Sequence, residues 1–455
     1  MSAATHAAID PARVDQLIRE ERARFVADHP RSQAAFERAR ESLLGGVPMN
    51  WMDRWVGGFP IVVDRAEGAR VTDIDGHTYL DFCLGDTGAM AGHAPAATLA
   101  AVQRQIARGI TAMLPNEDST WVAGELGRRF GLPKWQFTLS ATDANRFAIR
   151  LAREITRRPK ILVFNYCYHG SVDETFIVLE DGRLKPRAHN VGPPVDPAVT
   201  TRVVEWNDVE ALETELGHGD VACVLAEPAL TNMGIVLPLP GYHDALRNLT
   251  RKAGTLLIID ETHTMSTGPG GYTRAHALQP DLVTVGKALA GGVPVGAYGM
   301  TEAVARMVIA AEVDDTGGIG GTLAGNLLSM AAARATLEHV LTDEAYARMI
   351  PLAERFAAGV EAVIAARRLA WHIVRLGARA EYGFSPEPPV NGGQAHAAMD
   401  HRLDELTHLN ALNRGILLTP FHNMALMSPA TTAADVDRHT EVFAEGAEHL
   451  LGAHI

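Results

Sequence analysis

The chain is poor in cysteine, has no dense run of basic residues and has no long apolar stretch, and each shortage excludes a class of function. Its three cysteines, Cys83, Cys167 and Cys223, lie far apart with no CxxC pair among 455 residues. Neither a disulfide framework nor a structural zinc site is indicated, and reduced thiols in the cytoplasm are expected. Lys and Arg number 41 against 54 Asp and Glu, a formal net charge of −13. That balance argues against nucleic acid or an anionic membrane as partner. No run of about twenty apolar residues occurs, so no membrane span is expected. The start, Met1 to His6, lacks the charged and then apolar segments of a secretory leader. The 19 histidines show no metal-ligand spacing and HExxH is absent, so no metal is expected. What is present is a 47% hydrophobic chain, enough for one large core or two unequal domains that can enclose a small molecule.

Residues 11 to 44 read as charged helix, with Val14, Leu17, Ile18, Phe25 and Phe36 at partial helical spacing, forming an outer arm or partner-facing segment. Ile61–Val63, Ala69–Ile74 and Thr78–Phe82 read as short strands of an antiparallel sheet, with a turn at Asp75-Gly76. From about residue 95, helical stretches alternate with the apolar runs Lys160–Phe164, Val221–Ala226, Thr255–Ile259 and Leu282–Val285. Such repetition predicts an α/β fold whose mainly parallel sheet is covered by helices on both faces, with ligands at the carboxyl ends of its strands. The chain after residue 330 reads as helix-rich, with a Pro/Gly-rich break at Gly383–Gly393.

Three chemically capable residues fall at those strand ends: Glu227, Asp260 and Lys287. Lys287 sits among small residues in Thr284-Val285-Gly286-Lys287-Ala288-Leu289-Ala290-Gly291-Gly292. A lysine after one buried strand and an acid after another are what pyridoxal phosphate chemistry requires, a Schiff-base amine and a carboxylate that keeps the pyridine nitrogen protonated. Alone, either residue would be a solvated turn or a helix cap. Gly286-Lys287 is not a phosphate loop of the nucleotide-binding kind, because Asp281 stands where the first glycine belongs and Ala288 where Ser or Thr would hold magnesium. The cluster Gly317–Thr322 has no GxGxxG pattern, so dinucleotide binding is not supported.

Taken in order, Gly45-Gly46-Val47, Asp73-Ile74-Asp75-Gly76, Gly92-His93, Ser140–Asn145, Tyr168-His169-Gly170, Ala226-Glu227-Pro228, Asp260-Glu261, the Lys287 segment and Gly321–Asn326 resemble the class III, fold-type I pyridoxal-phosphate aminotransferases, near the glutamate-1-semialdehyde aminomutase and β-amino acid aminotransferase branch. The resemblance covers nearly the whole chain. It implies a seven-stranded, mainly parallel sheet in a large domain over residues 91–335. An N-terminal arm and part of a smaller α+β domain would span 1–90, and 336–455 would complete that domain. It also implies a homodimer with shared sites, a small-molecule amino donor and keto acceptor, and transfer through a Lys287 Schiff base. An intramolecular aminomutase and an amino-acid epimerase share the first steps and remain open.

The same resemblance assigns site residues, each with a physical reason. Ser140, Ala141 and Thr142 open a helix and would hold a phosphate at its positive end. Tyr168 would lay its ring on the cofactor, with His169 structural beside it. Glu227 and Asp260 would line the ring, and Thr262 stands where relatives place Val or Ile behind it, with His263 next to it. Thr322 would reach the phosphate of the neighbouring subunit. Lys287 and Asp260 would be catalytic. For the substrate, Arg54 is placed like a carboxylate-binding arginine with Trp55 beside it, and Asp86 replaces an aromatic of the family pocket. An acid there disfavours a bare carboxylate and suits a hydroxyl or a second ammonium.

Overall fold

A computed structural model describes residues 6–188, 195–311 and 318–452. Met1–Thr5, at the start read for a leader, and Gly317 of the glycine cluster lie outside these. Seven strands form the central sheet in the order Lys134–Thr138, Gly296–Met300, Leu282–Val285, Leu256–Asp260, Val221–Ala226, Lys160–Phe164, Thr201–Val204. All run parallel except Gly296–Met300, which is antiparallel to both neighbours. Val221–Ala226 is buried at every position, and Leu282–Val285 likewise. Strands covered on both faces have no solvent side, so their sequences read as unbroken apolar runs. The carboxyl ends of the parallel strands converge on one side, which brings Tyr168, Glu227, Asp260 and Lys287 toward a common place although they are far apart in sequence.

Three smaller sheets complete the molecule. Val63–Glu67, Arg70–Asp73 and Thr78–Asp81 form the expected antiparallel sheet, turning at Asp75-Gly76, and Ile416–Leu417 adds to it in parallel beside Thr78–Asp81. His372–Leu376, Arg379–Gly383 and Met424–Leu426 make an antiparallel trio, and Ile177–Glu180 pairs with Arg183–Pro186. The N-terminal helix is two helices, Pro11–Asp28 and Pro30–Ala39. Pro30 lacks the N–H that would continue the first and suits the opening turn of the second. Val14, Leu17, Ile18 and Phe25 of the first are buried in the main core, so its apolar face is covered by the chain itself. No helix among the described residues is long and apolar enough to cross a membrane. The three cysteines are free and buried.

Candidate active site

Asp260 closes its strand as a buried carboxylate with three donors around it. Oδ2 accepts from Asn145 Nδ2 at 2.8 Å and from His169 Nδ1 at 2.9 Å, and Oδ1 accepts from Thr262 N at 3.0 Å. Thr284 Oγ1 donates to Asn145 Oδ1 at 2.6 Å, fixing the amide that serves Asp260. Burial alone would raise the pKa of Asp260, but the hydrogen bond and charge of His169, with Thr262 and Asn145, hold it below the ordinary carboxylate value. Burial also disfavours a charge on His169, yet Cys167 and the Asp260 carboxylate raise it well above the usual imidazole value. Both shifts favour the charged forms across the Nδ1–Oδ2 hydrogen bond. Glu227, also buried, is pushed up to about 7 by burial, against the hydrogen bonds from Thr231. Glu261, next to Asp260, takes no part in the cavity. It accepts from Thr264 Oγ1 and from the backbone of Tyr272 and Thr273, and so anchors a short helix, Gly271–Ala275.

Ser140 caps the helix Ala141–Thr156, its Oγ accepting from Asp143 N at 3.2 Å. The N–H groups of that first turn have no acceptor inside the helix and are oriented to receive an anion. Two glycines bring the backbone close to this turn. At Gly286 a Cβ would fall 2.9 Å from the Ala141 Cβ, and at Gly170, whose φ is +80°, it would overlap Thr142. Thr142 Oγ1 already accepts from Ser171 N at 3.2 Å, which ties the loop after Tyr168 to the helix start.

Lys287 stands at the rim in a left-handed backbone conformation, φ +45°, that a non-glycine residue adopts only when its surroundings impose it. Opposite it, Leu84, Gly85, Asp86 and Thr87 are four consecutive residues with positive φ. They carry Asp86 Oδ2 to 2.8 Å from Lys287 Nζ, while His263 Nε2 lies 2.7 Å from the same amine. Burial would raise the pKa of Asp86, but Lys287, His263 and His422 hold it far below the carboxylate range, so it is ionised.

These residues share a cavity of about 430 Å³. Ser140, Ala141, Thr142, Tyr168, His169, Glu227, Asp260, Thr262, His263 and Lys287 all line it. Asp86 reaches it through Lys287, between the lining residues Gly85 and Gly88. Arg54 and Trp55 do not line it: Arg54 is exposed and Trp55 packs on the core. Trp51, three residues before Arg54 in the turn Asn50–Arg54, takes the place expected of Trp55, its ring edge-on to Tyr168 at 5.4 Å and to Phe421 at 5.9 Å. That stretch has no periodicity to set a register, so the sequence could not choose between Trp51 and Trp55. Thr322 is exposed and lies outside the cavity of its own chain. Arg379 and Thr87, which support His263 from behind, carry no motif and escaped notice. Among the described residues, His29, Asp73 and His77 form one group close enough to hold a metal ion. The Tyr79 hydroxyl lies 2.7 Å from both His29 Nε2 and Asp73 Oδ2, however, and the group is accounted for by its own hydrogen bonds.

An amine at the rim, a charged carboxylate on the floor and an anion-receiving helix start define one cavity. A model of the family described as aminotransferase class-III matches residues 51–445. The chain belongs to the class III aminotransferases. It is 35% identical over 423 residues, 90% of this chain and 95% of the relative, to the glutamate-1-semialdehyde 2,1-aminomutase of Desulfitobacterium hafniense. A glutamate-1-semialdehyde-aminomutase from Pseudomonas aeruginosa PAO1 is similar in structure, with a TM-score of 0.95, 51% identity and coverage of 97% of this chain and 99% of that one. The same enzyme carrying a lysine-to-alanine substitution was solved in complex with PMP. A β-phenylalanine aminotransferase from Variovorax paradoxus follows at a TM-score of 0.85 and 29% identity, covering 95% and 97%.

Class III aminotransferases are enzymes that use pyridoxal phosphate, and the residues here fit that group. Thr262 Oγ1 and His169 Nε2 are buried without a partner, and both residues line the cavity. Buried polar atoms left unanswered by the protein point to a polar ligand. The Asp260 carboxylate retains lone-pair capacity on Oδ1, which accepts only from Thr262 among the described residues.

Proposed function

We propose that this class III aminotransferase moves an amino group from an amino-acid or amine donor to a keto acid or aldehyde acceptor, in two half-reactions that use the same cavity and the same lysine. The observation that carries this reading is the amine of Lys287 facing a cavity whose floor is the hydrogen-bonded pair of Asp260 and His169. When bound, pyridoxal phosphate supplies an electron-withdrawing ring that makes a C–H bond next to the amino nitrogen acidic. The start of the helix Ala141–Thr156 would bind its phosphate, and the Tyr168 ring, braced by Trp51, would fix the plane of its ring. Asp260, kept ionised by His169 and Asn145, would hold a proton on the ring nitrogen. Lys287 would be the point of covalent attachment and, once released, would take a proton from the substrate carbon and return it one atom further along.

Asp86 and the absence of any arginine among the described lining residues bear on the substrate. An ionised acid beside the reacting amine disfavours a donor with a carboxylate close to its amino group and suits one with a hydroxyl or a second ammonium nearby. The names of the relatives favour a second reading, intramolecular amino transfer of the aminomutase kind. Incubating the loaded enzyme with pyruvate and a panel of amines separates the two. Alanine formed in proportion to donor consumed supports transfer to an external acceptor, while isomerisation of one amino aldehyde with no acceptor present overturns it in favour of the aminomutase.

We also infer a homodimer. Leu44, Met113 and Leu114 are 98%, 80% and 69% exposed on the protomer, which is unusual for large apolar side chains on a finished surface. Thr322, exposed likewise, would then serve the phosphate of the second copy. Light scattering on purified protein should give twice the 48.9 kDa chain mass.

A further inference from the structure

The inference rests on reading Lys287 as a lysine released and re-engaged in each half-reaction, and it concerns the released amine. A line of side chains from separate parts of the chain ends on that amine. Arg379, in the strand Arg379–Gly383 and 2% exposed, donates from Nη2 to Thr87 Oγ1 at 2.6 Å. Thr87 Oγ1 lies 3.1 Å from His263 Nδ1, and both terminal nitrogens of Arg379 lie 3.4 Å from that same ring nitrogen. On the other side of the ring, His263 Nε2 is 2.7 Å from Lys287 Nζ, and Lys287 donates to Asp86 Oδ2 at 2.8 Å.

The direction of the hydrogens follows from what each group is unable to do. A guanidinium has donors only, so Thr87 accepts from Arg379. The Thr87 hydroxyl hydrogen, in a fully buried side chain, has His263 Nδ1 as its acceptor among the described residues. A hydrogen on Nδ1 would also point toward the Arg379 nitrogens. Nδ1 is therefore the bare nitrogen, and the hydrogen of the neutral ring sits on Nε2. A doubly protonated ring is disfavoured as well: burial and the Arg379 guanidinium oppose a second proton on His263, against the pull of Asp86 and Asp260. An Nε2–H can bond to Nζ only where Nζ offers a lone pair.

We propose that Thr87 and Arg379 fix His263 as its Nε2–H tautomer, so that it donates to the released Lys287 and holds it as a neutral amine whose own N–H is received by Asp86. A neutral amine is the form that can attack a carbonyl carbon or accept a proton from carbon. Asp86 alone would draw a proton onto Lys287. His263 and the Arg379 charge behind it oppose that, so Asp86 aims the amine and His263 sets its protonation. The other titratable groups facing this line are Asp260 toward His263, His422, Tyr168 and Cys83 toward Asp86, and Glu381 and Glu227 toward Arg379. His263 acts through Lys287 and is a positioning residue.

Two measurements on the full-length protein without cofactor test the proposal. In protein labelled with 15N at histidine, with His263 assigned by its loss in His263→Gln, the ring should show a bare Nδ1 and a protonated Nε2 at neutral pH. The pH dependence of Lys287 labelling by acetic anhydride then reports the amine itself. His263→Met, which has no N–H to offer, should move that titration upward by at least about one unit and lower the labelling at pH 7. His263→Gln, which keeps a donor, should restore most of it. A ring protonated on Nδ1, or a Lys287 titration that stays put in His263→Met, overturns the proposal. The wild-type spectrum decides even if His263→Met does not fold. Neither readout uses cofactor or turnover, so an enzyme that proves not to transfer amino groups would leave this result separately legible.

Discussion

The two ends of the cavity hold charge in opposite ways. On the floor, the Asp260 and His169 side chains are 5% and 0% exposed, and Asp260 is held by two further donors from the protein. At the rim, Lys287 and Asp86 are 27% and 22% exposed on strained backbone, and the amine has a choice of two partners. Burial with several donors already in place fixes a protonation state before any ligand arrives. Partial exposure with alternative partners lets a proton come and go.

The largest way to sharpen that contrast is to remove the moving part. Lys287→Ala should lower turnover by at least ~10³-fold while leaving the melting temperature nearly unchanged, because a partly exposed side chain at the rim carries chemistry and little packing. Steady-state rates and a thermal scan on the same preparation check both halves. Asp260→Asn should act on the fixed end and reverse the pattern, leaving the His169 charge buried without its counter-ion. A stability loss of about 3–5 kcal/mol in denaturant titration is expected, and an unchanged midpoint would show that His169 is neutral. Gly170→Ala should cost about 1–3 kcal/mol, since the new Cβ meets Thr142 in a left-handed conformation, and should weaken cofactor binding measured by fluorescence quenching.

A smaller effect concerns pH. His169 has its folded pKa raised above the ordinary 6.5, so its contribution is fully present below pH 6.5 and fades as the pH rises through the raised value. Asp260 is lowered from 3.8, so its share is present above that pH and is lost as the pH falls through the lowered value. Melting temperatures should therefore decline from pH 7 upward in the wild type and more shallowly in His169→Gln; parallel curves would count against the ion pair. The smallest effect is expected at Arg54→Ala. The side chain is exposed and outside the cavity, so kcat/KM should change by less than about twofold, and a large loss would return Arg54 to the substrate site.

Much of the floor, and the place of Lys287 above it, was legible in the sequence because parallel strands announce themselves. Apolar runs ending in Asp260 and Lys287 placed both residues at carboxyl ends, and the topology did the rest. The rim was less legible for a physical reason. Asp86 reads as an acid in the pocket, but its bond to Lys287 depends on four successive left-handed residues, and no periodicity encodes them. Trp51 and Trp55 sit in an irregular turn where one register is as good as another, and Arg379 joins from a distant antiparallel strand, a pairing the local pattern does not carry. The break at Pro30, by contrast, was within reach, since proline inside a helical stretch marks a boundary.

The short strand Ile416–Leu417 gives the molecule an order of assembly. Leu80 N and Phe82 N bond to the carbonyls of Gly415 and Leu417, and Leu426 N bonds to the Phe82 carbonyl. The segment leading into the Asp86 loop is thus clasped by residues synthesised roughly three hundred positions later, on the order of half a minute at about 10 residues per second. The Asp86 loop therefore acquires its backbone clasp only when the C-terminal part of the chain is present.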